Sequence, residues 1–257
     1  MLAFGFPLLL AGLPGVANEM ADRFFIEYLM PLSEAKEAVG TYSAIYKLSI
    51  FIILFNQAFR FAAEPFFFKQ SDQTRQQLAD VLRLFTGILS IGMVLVLAGL
   101  GGIKYFIDAK YWDSLPILYF LLLANVFLSM NTQISMWYKL SDQTRMGLYI
   151  TLTGFAITVL GNLYWIPRVG ILGAAWTTLA SYVAMALLSL ILGQYHYPVP
   201  YSFGRLAIYV GAAAVLGRIA AFFSMTLVWP SILCSFAMIA IVLYAERDLL
   251  RRKSPRN

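Results

Sequence analysis

Charge is scarce in this chain. Only 12% of its 257 residues are Asp, Glu, Lys or Arg, about half the share of an ordinary soluble domain. Hydrophobic residues make up 60%, and mean hydropathy is +0.73. A water-soluble domain is excluded. There is one cysteine, Cys234, inside an apolar run. No internal disulfide can form, and the residue reads as a small buried hydrophobe. The one histidine, His196, lies in the aromatic loop "GQYHYPVPYSFG" and reads as a surface residue. No zinc-ligand spacing, nucleophile elbow, phosphate loop or dinucleotide fingerprint occurs. No enzyme activity, metal or cofactor is therefore expected. No basic stretch precedes the first apolar run, the first basic residue being Arg23, so no signal peptide is expected.

What is present is a series of continuous apolar runs about 20 residues long, the length of a helix crossing a bilayer. They do not alternate, as barrel strands would. The expected fold is an all-α integral membrane protein with about eight transmembrane helices. The expected spans are 4–30, 42–66, 84–107, 115–138, 146–166, 170–193, 204–223 and 226–245, punctuated by proline and glycine. The short repeat "KQSDQTR" (69–75) and "KLSDQTR" (139–145) is separated by two spans, which places both copies on one side. Ser or Asp of the repeat can cap the helix that follows. Eleven basic residues fall on that side: Lys69, Arg75, Arg83, Lys139, Arg145, Arg205, Arg247, Arg251, Arg252, Lys253 and Arg256. The opposite loops hold four: Lys36, Lys104, Lys110 and Arg168. The positive-inside rule then puts both termini in the cytoplasm.

The informative residues are the charges inside the expected spans. "NEMADRFF" (18–25) brings Asn18, Glu19, Asp22 and Arg23, followed by Glu27, into the first span at helical spacings of three and four. The second span carries Asn56, Gln57, Arg60 and Glu64, the outer pairs four apart, with Lys47 earlier in the same span. Each such charge costs roughly 2.5–3.5 kcal/mol at the bilayer centre, so these faces should meet each other or line a water-filled cavity. Two readings stand. In one, Glu19 with Arg23 and Arg60 with Glu64 are ion pairs that fix helix packing. In the other, Arg23 and Arg60 attract an anionic head group while Glu19, Asp22, Glu27 and Glu64 tune it or carry protons. Pro14 and Gly15, with Gly12 nearby, mark a weak point in the first span, read either as an ordinary proline kink or as a break like those of transporter helices. Arg218 sits alone within a later span. Asn125, Asn131, Gln133 and Asn162 are expected to make hydrogen bonds between helices.

The segments "PLLLAGLPGVANEMADRFFIEYLMP", "QAFRFAAEPFFFKQ", "MWYKLSDQTR" and "VGILGAAWTTLASYVAM" resemble the second half of bacterial polysaccharide-type flippases, of the multidrug/oligosaccharidyl-lipid/polysaccharide exporter superfamily. The resemblance covers nearly the whole chain. It implies one six-helix lobe of a two-lobe transporter (1–197) and two further helices with a basic cytoplasmic tail (198–257). It also implies a function, moving an undecaprenyl-pyrophosphate-linked oligosaccharide such as an O-antigen repeat unit across the bacterial inner (cytoplasmic) membrane. Arg23 and Arg60, with Lys47, would occupy the family's cavity-facing basic positions, beside Asn18, Asn56 and Gln57. The implied partners are the lipid-linked oligosaccharide, membrane lipids and a first lobe in the same or another chain, and no nucleic acid. Three rivals remain. They are a drug/cation antiporter half of the same superfamily, a non-transporting scaffold or degenerate fragment, and a membrane glycosyltransferase. The last would need a larger outside loop than "MPLSEAKEAVGT".

Overall fold

A computed structural model describes residues 17–18, 20–67 and 74–247, with backbone alone at 51 and 62–67. The weak point at Pro14 and Gly15, the residue Glu19, the side chain of Glu64 and the end of the basic tail lie outside those residues. Every regular element described is helical. α1 covers 20–29, with 17–18 also helical. It is followed by α2 (Leu32–Leu48), α3 (Ile50–Phe67), α4 (Thr74–Ala98), the short α5 (Leu100–Ile103), α6 (Ile117–Ile134), α7 (Met136–Leu140), α8 (Arg145–Val169), α9 (Ile171–His196), α10 (Phe203–Phe223) and α11 (Val228–Ala245). Among the described residues six helices, with α6 and α7 counted as one, are long and apolar enough to cross a membrane, and seven if the bent α2–α3 pair is one span. The chain is an all-α membrane protein.

The later spans fall close to where hydropathy places them; the early ones do not. Residues 32–41, expected as an outside loop, are the first part of α2. Ala35, Ala38, Thr41, Tyr42 and Ile45 recur at three- and four-residue spacing and are buried, while Ser33, Glu34, Lys36 and Glu37 face out. A window average cannot see an apolar stripe on a polar-faced helix. α2 ends at Ser49, whose hydroxyl donates to the Tyr46 carbonyl (2.7 Å), and the axis turns by 51° into α3. α4 likewise begins at Thr74, ten residues before the expected 84, because Leu78, Ala79 and Leu82 carry its buried face outward past the purely apolar stretch.

α6 is the central helix. Of its span 67% is buried, against 28% for α8, α10 and α11. It packs on α9 on one side and α4 on the other. α8 pairs with α9, and α10 and α11 pack on each other and on α4. The α8–α9 hairpin depends on small residues. Gly154 and Gly161 are seven apart on α8, and a Cβ there would come within 2.3 Å of Met185 Sδ and 2.6 Å of Thr177 Cγ2 on α9. Gly170 makes the turn alone, with φ +60°, a region L side chains avoid. At the other end of α8 the repeat "SDQTR" behaves differently from expectation. Ser141 donates to the Trp137 carbonyl (2.8 Å), finishing α7, and Thr144 makes no side-chain cap on α8. Asp142 takes φ 56° to turn the chain. Cys234 is buried, and His196 ends α9 exposed and stacked on Trp137.

Candidate functional site

α1 presents Asn18, Ala21, Asp22 and Ile26 inward, while Met20, Phe24, Glu27 and Tyr28 are exposed. The single polar face expected on this helix is therefore divided. Asp22 is 2% exposed, Arg23 is half-buried at the side, and Glu27 is on the outer face. Consecutive residues on a helix point about 100° apart, and close packing turns that angle into the difference between interior and rim.

Asp22 lies where α1, α2, α8 and α9 meet. Its Oδ2 accepts from the Tyr42 hydroxyl (2.6 Å) and from the Thr178 hydroxyl, and its Oδ1 accepts from the Asn162 amide (2.9 Å). One turn away Asn18 donates to Ser181 (3.3 Å), which donates to the Gly154 carbonyl (2.9 Å). Gly154 and Gly161 allow α8 to approach α9 closely enough for these short side chains to connect. Among the described residues no ion pair to Asp22 forms. Its hydrogen-bond donors are all neutral, so any charge on it is balanced only at a distance, by Arg23, which is costly in a medium of low dielectric constant. Four further polar atoms nearby on these helices are buried without a hydrogen-bond partner: Asn18 Oδ1, Thr158 Oγ1, Asn162 Oδ1 and Thr177 Oγ1.

Next to this buried acid on α1, Arg23 is half-buried. Arg23 Nε donates to Ser43 Oγ (3.2 Å), and its guanidinium lies 4.8 Å from the centre of the Tyr46 ring. Lys47, one residue beyond Tyr46 on α2, is exposed. The structure thus brings Asn18, Asp22 and Arg23 into one neighbourhood, and Lys47 makes no contact there among the described residues. On α3, Asn56 is buried, Gln57 exposed and Arg60 half-buried against the Phe61 ring (5.3 Å). Asn56 Oδ1 and Arg60 Nε lack hydrogen-bond partners, and among the described residues no hydrogen bond joins α3 to the Asp22 cluster. The pairs proposed with Glu19 and Glu64 lie outside the described side chains.

Tyr42, Thr178 and Ser181 were not singled out from sequence. Their signal was present: "WTTLASY" on α9 places hydroxyls three residues apart at 178 and 181, on a face shared with Ala174 and Met185. Asn162 bonds across helices as expected. On α6, Asn125, Asn131 and Gln133 are buried, yet Asn125 Nδ2, Asn131 Oδ1 and Gln133 Nε2 have no partner.

A second polar cluster was missed altogether. Arg83, expected in a basic loop, is buried inside α4, with its Nε 3.0 Å from Glu246 Oε1 and an Nη 3.1 Å from Asp80. Tyr209 donates to Glu246 Oε1 (2.6 Å), and Arg205 lies 3.8 Å from Oε2. Two bases and two acids tie the ends of α4, α10 and α11 together. Arg75 rests on the Tyr197 ring at the same end (4.6 Å). Among the described residues no group of three His, Cys, Asp or Glu is placed to hold a metal.

No protein-family model, no curated protein and no solved structure matches the chain. The likeness to polysaccharide flippases rests on the sequence segments quoted above.

Proposed function

We propose that this chain is a transporter lobe that moves a lipid-linked oligosaccharide across the bacterial inner membrane, with a second lobe closing the cavity. The observation that carries the reading is the buried Asp22 with the half-buried Arg23 next to it on α1. An ionisable residue buried between transmembrane helices without an ion partner marks a transport or proton pathway by default. A pyrophosphate head group needs a cationic partner, and arginine offers a planar fork matched to phosphate oxygens. Arg23, half-buried and held by Ser43 and Tyr46, supplies that fork, and Asp22 is the group placed to couple its exposure to proton or cation binding. The division into a lobe (1–197) and an added pair (198–257), the inner-membrane location and cytoplasmic termini belong to this proposal.

One observation favours a second reading. The most buried ionisable group of the site is an acid, which suits a drug/cation antiporter half of the same superfamily. Surface polysaccharide, measured in a flippase-deleted cell supplied with this chain and a first lobe, separates the two. The flippase reading expects export that Arg23→Gln abolishes at unchanged protein level and Arg23→Lys partly keeps. Absence of export, together with proton movement in everted vesicles on adding a lipophilic cation, would favour the antiporter.

A further inference from the structure

α10 carries two charges. Arg205 joins the Glu246 cluster at one end; Arg218 stands five residues before the other end. Five residues at the helical rise put it about 7.5 Å inside the span. It is exposed, on a helix most of whose surface is unburied, and among the described residues it forms no ion pair. Its guanidinium lies 5.8 Å from the ring centre of Tyr119, which is itself fixed by donating to the Ala214 carbonyl (3.1 Å). Beside it opens a cavity of about 230 Å³ lined by Leu100, Leu115, Pro116, Ala221, Phe222 and Met225. Tyr105, Phe106 and Trp229 are exposed at this end, as aromatic residues are at a membrane–water interface. Gly101 sits against the Ser224 carbonyl, so the 101–106 segment and the end of α10 share one level.

A cation facing lipid at this depth is expensive unless it reaches a counter-charge, and arginine reaches by extending its stem along apolar surface. Among the described residues no acid lies within ion-pair distance of Arg218; the membrane supplies phosphate. We propose that Arg218 and this cavity bind one anionic phospholipid, the phosphate on the guanidinium and the first methylenes of an acyl chain against Leu115, Ala221 and Phe222. A free phosphate would satisfy the charge but leave the apolar cavity unused, so the membrane lipid is the occupant that uses both. The inference needs only that the chain spans a membrane, and it stands apart from the transport reading.

The test is native mass spectrometry of the full chain released from nanodiscs of mixed phosphatidylglycerol and phosphatidylcholine. The wild type should retain phosphatidylglycerol in preference to phosphatidylcholine. Arg218→Leu should weaken that preference about five-fold, the scale of one basic residue near an anionic surface. Ala221→Phe, which keeps the charge and fills the cavity, should weaken retention as well. Wild-type retention by either variant would overturn the proposal, and Ala221→Phe decides alone if Arg218→Leu does not fold. Removal of the lipid by millimolar inorganic phosphate would also overturn it, in favour of a simple anion site.

Discussion

Asp22 and Glu246 are both buried carboxylates, and each accepts a tyrosine hydroxyl at 2.6 Å. Their surroundings differ in one respect. Glu246 has Arg83 and Arg205 within ion-pair distance, whereas the other partners of Asp22 are the neutral Thr178 and Asn162. The first arrangement cancels its charge within the protein and joins three helix ends, so it is read as a clamp. The second has no ion pair among the described residues and leaves its charge or proton to be balanced at a distance, at the junction of four helices beside the half-buried Arg23. Packing alone would be served as well by an apolar residue, since burying charge seldom stabilises a fold.

Breaking the clamp should have the largest effect on stability. Glu246→Ala leaves the buried Arg83 with only the partly exposed Asp80, and removing one member of a buried pair costs up to about 3–5 kcal/mol. Thermal unfolding of the detergent-purified protein should show it as a large drop in Tm. A stable Glu246→Ala protein would remove the distinction between the two sites. Next in size is Gly161→Ala. Its new Cβ would come within 2.6 Å of Thr177 Cγ2, a stiff β-branched neighbour, separating α8 from α9 just where Asn162 and Thr178 meet Asp22. Overpacking of this kind costs about 1–3 kcal/mol. The same unfolding measurement checks it, and a wild-type Tm would mean the hairpin is looser than drawn.

How much of this was legible beforehand depends on what each residue's identity depends on. The apolar spans α8 to α11 follow from composition, because a bilayer-length run of Leu, Ile, Val, Ala and Phe has few alternatives. α2 was hidden because Glu34, Lys36 and Glu37 on its outer face outweigh Ala35, Ala38 and Tyr42 in any linear average. Arg83 was misplaced for the same reason, its helix starting nine residues before it within a mixed sequence. Within the site, Asp22 is buried and Glu27 exposed, where helical spacing puts both on one face with Glu19 and Arg23. Spacing could not separate Asp22 from its neighbour Arg23, nor reveal Tyr42 and Thr178, because those partners come from helices 20 and 156 residues away.

A smaller but sharper contrast comes from the two tyrosines. Tyr42→Phe removes one donor from a carboxyl that has only neutral partners. A hydrogen bond to a charged group contributes about 1.5–3 kcal/mol, against about 0.5–1.5 for an ordinary one. Tyr209→Phe leaves Glu246 its arginines, so the loss should be smaller, toward the low end of the charged-group range of about 1.5–3 kcal/mol. The two single substitutions, compared by denaturation under one condition, should differ in that order. The reverse order would mean that Asp22 is not the less compensated acid. The smallest stability change is expected for Asp22→Asn, which deletes the uncompensated charge while keeping the side chain's shape. Its amide oxygen can accept both hydroxyls, but its NH2 then faces the Asn162 amide donor, so a change of about 1 kcal/mol either way is expected.

That near-silence in stability makes the same substitution the most direct test of the central claim, that Asp22 serves transport and not packing. The measurement is surface polysaccharide in a flippase-deleted cell carrying this chain with a first lobe, at membrane levels of protein verified to match. The account predicts that wild type exports and that Asp22→Asn, though folded and present in equal amount, does not. Export by Asp22→Asn equal to wild type would contradict it and leave the buried carboxyl as a packing residue.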